Sequence, residues 1–282
     1  MIKISFVILH YESLLDTEEC LQSLMMYLKD ENVNVVIVDN GSKKEKLSEI
    51  EKKYDLANIY YLYSDENLGF AKGNNIGFKF AKNNLHSDCI ILCNNDLIFT
   101  QKDFVEKLRK KINIIDVAGP KIISLVDKKN QNPVPFLYPN VKSARIRLYK
   151  FYILYILSLL GMDNTLKNIF SKEIVEFTSY EKDDYQLHGA CLIFGPNYIK
   201  RFEGLYDKTF MYMEESILKW SCIYNKMKME YIPEIEVFHK EGSSTGKIYG
   251  QGKKKRQFYY HWNIDGCKQL IYMINQGGKK KI

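Results

Sequence analysis

Glu214 and Glu215 stand side by side after Phe210-Met211-Tyr212-Met213. Adjacent carboxylates that open a helix gain from its dipole, a sufficient structural reason for one of them. A carboxylate aimed at a hydroxyl within hydrogen-bond reach is also a general base. Asn94-Asn95-Asp96 follows the apolar run of residues 90–93. A hard divalent ion on a diphosphate takes oxygen ligands, one or two of them carboxylates, and keeps its other positions for phosphate and water. Asp96 offers the one carboxylate, Asn94 and Asn95 only amide oxygens, and a polar turn is the alternative.

Three further segments carry candidates. Asp39, in Asp39-Asn40-Gly41-Ser42, can accept from the imide N–H of a pyrimidine or cap an Asx-type turn into the next helix; both fit the residues. Residues 67–75 hold two glycines and three asparagines at a loop-to-helix junction, where backbone can approach a ligand closely and a helix N-terminus favours phosphate. His239 precedes Lys240-Glu241-Gly242-Ser243-Ser244. A lone histidine is more often structural, but the end of a strand beside a Gly-Ser loop makes it a candidate ligand.

The elements that must position these residues alternate. Residues 4–9, 33–38, 59–63 and 89–93 are short apolar, strand-like runs, and residues 14–28, 43–53, 71–82 and 102–111 read as helices. Such alternation predicts an α/β fold, a mostly parallel sheet covered by helices. Sites in these sheets lie beyond the carboxyl ends of the strands, where Asp39 and Asp96 fall. Residues 126–139 contain three prolines among polar residues and read as a loop or insertion. Residues 151–160 (FYILYILSLL) are too short to cross a bilayer, which takes about 20 apolar residues; they predict a buried helix or a helix lying on a membrane surface, since Arg145, Arg147 and Lys150 precede them. A polar link to about residue 184 follows, then a strand at 187–194, a helix at 214–226, a strand ending at His239 and a helix over 253–275.

With 46% hydrophobic and 27% charged residues, the chain can bury a large core. A formal charge of +7 is mild for 282 residues. Its dense basic clusters, Lys253-Lys254-Lys255-Arg256 and Lys279-Lys280-Lys281, sit late and predict solvated surface, so a nucleic-acid partner is not expected. Six cysteines form no Cys-x-x-Cys pair, and residues 1–5 run straight into a strand without signal-peptide architecture, so a reduced, cytoplasmic location is expected.

Taken in order, Val7-Ile8-Leu9-His10-Tyr11, Val38-Asp39-Asn40-Gly41-Ser42, residues 67–75, Asn94-Asn95-Asp96, Gly189-Ala190-Cys191, residues 210–215 and residues 239–244 resemble family 2 glycosyltransferases of the GT-A fold, rhamnosyltransferase-like enzymes of bacterial polysaccharide assembly above all. The resemblance implies a Rossmann-like sheet with a C-terminal helical appendage. It implies one domain over 1–250, comprising a nucleotide-binding half (1–119), a variable insertion (120–185) and an acceptor and catalytic half (186–250), followed by a basic helical tail at 251–282. Tyr11, Asp39, Asn67, Gly69, Asn74, Asn95 and Asp96 would form the nucleotide site. Asp96 and His239 would hold Mg2+ or Mn2+. Gly189 and Ala190 would line the donor-sugar or acceptor region. Glu215 matches the usual base and Glu214 is the alternative; the position usually holds Asp, and the metal motif has one carboxylate where two are usual. The implied reaction is inverting hexosyl transfer from dTDP-rhamnose or a UDP-hexose to a saccharide acceptor carried on a lipid, at the inner face of the cell membrane, for capsule or cell-surface polysaccharide. A non-catalytic nucleotide-sugar-binding subunit is the alternative, and the resemblance leaves room for a second copy of the chain or a partner glycosyltransferase.

Overall fold

The computed structural model describes residues 2–162, 185–241 and 252–277. The expected link at 163–184, Gly242-Ser243-Ser244 and Lys279-Lys280-Lys281 lie outside the described residues. The chain runs β1 (Ile4–His10), α1 (Leu14–Leu24), β2 (Val33–Asp39), α2 (Ser48–Glu51), β3 (Ile59–Tyr63), α3 (Phe70–Asn83), β4 (Cys89–Asn94), β5 (Leu97–Ile98), α4 (Phe104–Lys111) and β6 (Val117–Ser124). It continues with β7 (Val134–Pro135), α5 (Val141–Leu159), β8 (Tyr185–Gln186), β9 (Cys191–Phe194), α6 (Pro196–Arg201), α7 (Glu214–Tyr224), β10 (Met229–His239) and α8 (Lys253–Asn275).

Eight strands form one sheet in the order β3-β2-β1-β4-β9-β6-β10-β5, and β7 pairs with β8 apart from it. β1, β2, β3 and β4 are parallel, as are β6 and β10, while β9 runs antiparallel to both β4 and β6. Strands β1, β2 and β4 are almost wholly buried, as expected of a sheet covered on both faces. Alternation sends Phe6 and Ile8 into one core with Leu21, Phe99 and Phe104, and Val7 into the other with Phe78, Phe194 and Tyr198. Each such side chain stabilises by about 1.5–3 kcal/mol when fully buried. The register pairs His10 with Asp39, Asp39 with Tyr63, and Leu9 with Asn94. One sheet edge therefore presents Tyr11, Asp39 and Asn94 together.

Two local expectations change. Residues 43–53 read as a helix, but only Ser48–Glu51 forms one. Glu12 accepts the backbone N–H groups of Lys43, Lys44 and Glu45 at 2.7, 3.1 and 3.0 Å, and this capture holds the segment in a loop. Residues 151–160 belong to the longer α5, which has two faces. Phe151 and Leu154 are buried against α8, whereas Ile153, Ile156 and Leu160 are 48%, 55% and 67% exposed. Among the described residues, no helix is long and apolar enough to cross a membrane. α8 packs on α5 and shares a core with α7 through Met213, Ile217, Tyr260, Ile264 and Cys267.

Candidate active site

The junction at residues 67–70 is a hydrogen-bonded loop. Asn67 Oδ1 accepts the Gly69 amide at 2.9 Å and the Asn40 amide group at 3.1 Å, and Asn40 Oδ1 accepts the Leu68 amide at 3.0 Å. Gly69 has φ +84°, and a Cβ there would stand 2.2 Å from the Phe210 carbonyl oxygen; only glycine tolerates both. Phe70 then donates its amide to that carbonyl at 2.8 Å and starts α3. Asn74 is 1% exposed and donates to the Phe70 carbonyl, while its Oδ1 has no partner among the described residues. Asp39 caps the following loop, Oδ1 accepting from Ser42 at 2.8 Å and Oδ2 from Leu47 at 3.3 Å. A pyrimidine imide would have only the remaining lone pairs. Asn95 donates to the Ser13 carbonyl and to Thr17 Oγ1, so its amide anchors α1.

Asp96 and His239 meet across the β5–β10 edge. His239 Nε2 lies 3.2 Å from Asp96 Oδ1, and both side chains are almost buried. On the far side of the ring, Nδ1 lies 2.7 Å from Gln131 Oε1. Gln131 donates its amide nitrogen to Glu241 at 2.7 Å, which orients the amide so that its oxygen faces the histidine. Nδ1 is then the protonated nitrogen, and Nε2 turns a lone pair towards the Asp96 carboxylate. Two acceptors facing one another at this distance suit a cation or a shared proton. Among the described residues no group of three His, Cys, Asp or Glu side chains could hold a metal, so an ion here would need its remaining ligands from phosphate and water.

Glu214 and Glu215 are delivered by a strained turn. Tyr212 and Met213 have φ of +73° and +72°, a conformation costing about 1–3 kcal/mol per residue unless surrounding packing enforces it. Part of that enforcement is Gly266 of α8, where a Cβ would stand 2.7 Å from the Tyr212 carbonyl oxygen. The two acids differ in setting. Glu214 is 7% exposed, and burial together with the neighbouring Glu215 charge pushes its carboxyl up to about 8. Glu215 is also raised by burial, but the amide N–H groups of Glu215 and Gly189 stabilise its charged form. Its carboxylate lies directly against Gly189. Both acids line a cavity of about 300 Å³ with Phe70, Tyr138, His188, Gly189 and Asn263 among its walls.

His188 was not singled out by sequence. It lines the cavity beside Gly189, and its ring stands 5.8 Å, centroid to centroid, from that of His239. Burial, then the adjacent His239, pushes it down to about 4, so it is neutral near pH 7.

The family model for Glycosyl transferase family 2 matches residues 5–162, more than half of the chain. The chain belongs to glycosyl transferase family 2. Two relatives of this family 2 chain are the low-salt glycan biosynthesis hexosyltransferase Agl10 of Haloferax volcanii and the dTDP-rhamnosyl transferase RfbF of Shigella flexneri. The first is 24% identical over 75% of this chain and 59% of its own length. The second is 23% identical over 82% of this chain and 67% of its own length. Thus the chain spans less than two thirds of the first relative. Among solved structures, S. aureus TarS 1-349 in complex with UDP aligns over 88% of this chain and 62% of its own, with TM-score 0.55 and 15% identity. The mannosyltransferase PcManGT from Pyrobaculum calidifontis, in complex with GDP-Man and Mn2+, aligns over 99% of this chain and 76% of its own, with TM-score 0.55 and 10% identity. These likenesses identify the fold as GT-A.

Within this family 2 chain the expected site residues fall into three groups. Gly189, Ala190, Glu214 and Glu215 line the cavity. Tyr11, Asp39, Asn67, Gly69 and Asn74 belong to the sheet edge and the α3 junction, and Asp96 with His239 forms a corner reached from the cavity through His188. Asn263 and Gly266 of the C-terminal helix join the site as well. No spacing pattern marks these two or His188, because each contact is made across a long stretch of chain.

Proposed function

We propose that this glycosyltransferase moves a hexosyl or deoxyhexosyl unit from a nucleotide sugar, dTDP-rhamnose or a UDP-hexose, to a saccharide hydroxyl with inversion, and that Glu215 is the base. The observation that carries the assignment is the contrast within the acid pair. Glu215 meets the cavity with its charge supported by the Gly189 amide, whereas Glu214 is buried and holds its proton at neutral pH. The acceptor hydroxyl would give its proton to Glu215 as its oxygen attacks the sugar carbon. Asp96 and the His239 Nε2 lone pair would hold Mg2+ or Mn2+, which when bound supplies charge neutralisation to the departing diphosphate. The loop fixed by Asn67 and Gly69 and the N-terminus of α3 would receive the nucleotide phosphates.

A lipid-carried acceptor and a peripheral cytoplasmic location at the membrane fit the exposed apolar side chains of α5, which lie near exposed Lys142 and Arg145. In this reading residues 120–185 insert α5 between the nucleotide half (1–119) and the catalytic half (186–250), and α8 packs on α5 and α7. The deciding experiment is a thermal-shift screen of sugar nucleotides with Mn2+, followed by transfer assays of wild type and Glu215→Gln. Retained donor binding with lost transfer is expected; a wild type that binds donors but transfers to no saccharide would favour a non-catalytic subunit.

A further inference from the structure

The two imidazoles at the junction of cavity and metal corner carry their hydrogens on opposite nitrogens. In His239 the Gln131 oxygen takes the Nδ1 hydrogen, which leaves the Nε2 lone pair for a cation. His188 is wired the other way. The Ala190 amide donates to its Nδ1 at 3.2 Å, so the lone pair sits on Nδ1 and the hydrogen on Nε2. An imidazolium would turn a second N–H against that amide. As a cation ligand His188 would need its lone pair on Nε2, and the Ala190 contact forbids this. The Nε2 hydrogen has no acceptor among the described residues, and the ring borders the cavity that holds Glu215.

Resting on the nucleotide-sugar reading above, we propose that His188 is an uncharged N–H donor to the diphosphate of the sugar donor, bonding through Nε2 to a β-phosphate oxygen beside the cation held by Asp96 and His239. Its position suits the charge that develops there. The acceptor oxygen bonds to the sugar carbon, the acceptor proton passes to Glu215, and the bond from that carbon to the β-phosphate oxygen breaks with its electron pair on the diphosphate. A donor fixed in place gains strength as that charge grows. A neutral one does so without repelling the neighbouring cation, which a lysine or an imidazolium would do.

The test uses the full chain with His188→Phe, which keeps a ring of similar size without the donor, and His188→Gln, which restores an N–H near the Nε2 position. Binding of UDP, dTDP, UMP and dTMP is measured with Mn2+ by calorimetry, and transfer is assayed with whichever donor the wild type accepts. The Phe variant is expected to bind the diphosphates about 10-fold more weakly, to bind the monophosphates as wild type does, and to lose about 100-fold in kcat; the Gln variant is expected to regain most of each loss. Nitrogen NMR of the wild-type ring should report hydrogen on Nε2 and a shift on adding UDP or dTDP, a readout independent of either variant's folding. Equal loss of monophosphate and diphosphate binding, a Gln variant no better than Phe, or an Nδ1-protonated ring would overturn the proposal. A wild type that binds no nucleoside diphosphate overturns the function reading beneath it, and this inference with it.

Discussion

The Glu215 carboxylate rests on Gly189 so closely that a Cβ on the glycine would stand 2.7 Å from Oε1. The intruding methyl meets the far end of a flexible side chain, so the fold can absorb it by swinging the carboxylate away. Gly189→Ala is therefore expected to lower kcat by about 100-fold, as misplacement of a reacting group by an ångström does. Its thermal midpoint and donor affinity should stay close to wild type. Kinetics and melting measured on the same preparation check this.

The acid pair predicts opposite outcomes for two like substitutions. Glu215→Gln removes the proposed base and should cost about 10²–10⁴-fold in kcat. Glu214→Gln replaces a protonated acid by its near isostere and should retain most activity.

Stability against pH gives an independent reading of Glu214. The folded protein holds this proton up to about pH 8, the unfolded chain only to the ordinary value of 4.5. Between those limits the native state binds more protons, so stability falls as pH rises from about 4.5 to about 8 and levels above it. Glu215, also raised, adds in the same direction. Glu214→Gln should flatten most of the decline in denaturant midpoints measured from pH 5 to 8.

Asp96→Asn and His239→Ala each remove one of the two proposed metal ligands. Each is expected to weaken Mn2+-dependent binding of UDP or dTDP by about 10–100-fold. Metal-independent binding should change little, and calorimetry with and without chelator separates the two.

Gly266 offers a test far along the chain from the acids it seats. Gly266→Ala sets a methyl 2.7 Å from the Tyr212 carbonyl, a backbone atom that cannot swing aside. A destabilisation of about 1–3 kcal/mol with a fall in kcat is expected, while nucleotide binding by the α3 junction persists.

Much of this architecture is legible in the order of residues. β1, β2, β3 and β4 announce themselves as short apolar, strand-like runs, and the helix read over 71–82 is α3, Phe70–Asn83. Asp39 and Asp96 stand out because each closes or follows a strand run, and Glu214-Glu215 because the pair opens a helix, while the preference for Glu215 comes from the family resemblance. What stayed hidden depends on contacts distant in sequence. The helix expected at 43–53 gave way because Glu12, some thirty positions earlier, captures its amides. His188 looked like any histidine until the fold set it against His239. The pairing of α5 with α8 has no local signal, since the apolar stripes on both helices suit many partners.

The strained turn at Tyr212 and Met213 has a consequence for how the protein opens. The proposed nucleoside-binding end of the sheet is built from β1, β2, β4 and α3, all within the first hundred residues. The acids depend on α8, a helix near the other end of the sheet's sequence, to hold them in place. A sub-global opening that lifts α8 alone would relax Tyr212 and Met213 towards ordinary backbone angles and let Glu214 and Glu215 drift, leaving the donor pocket standing. Such an opening would act as an internal interlock. On the proposed function its chemistry would disengage before its grip on the nucleotide, so a thermally loosened copy would keep its donor without spending it.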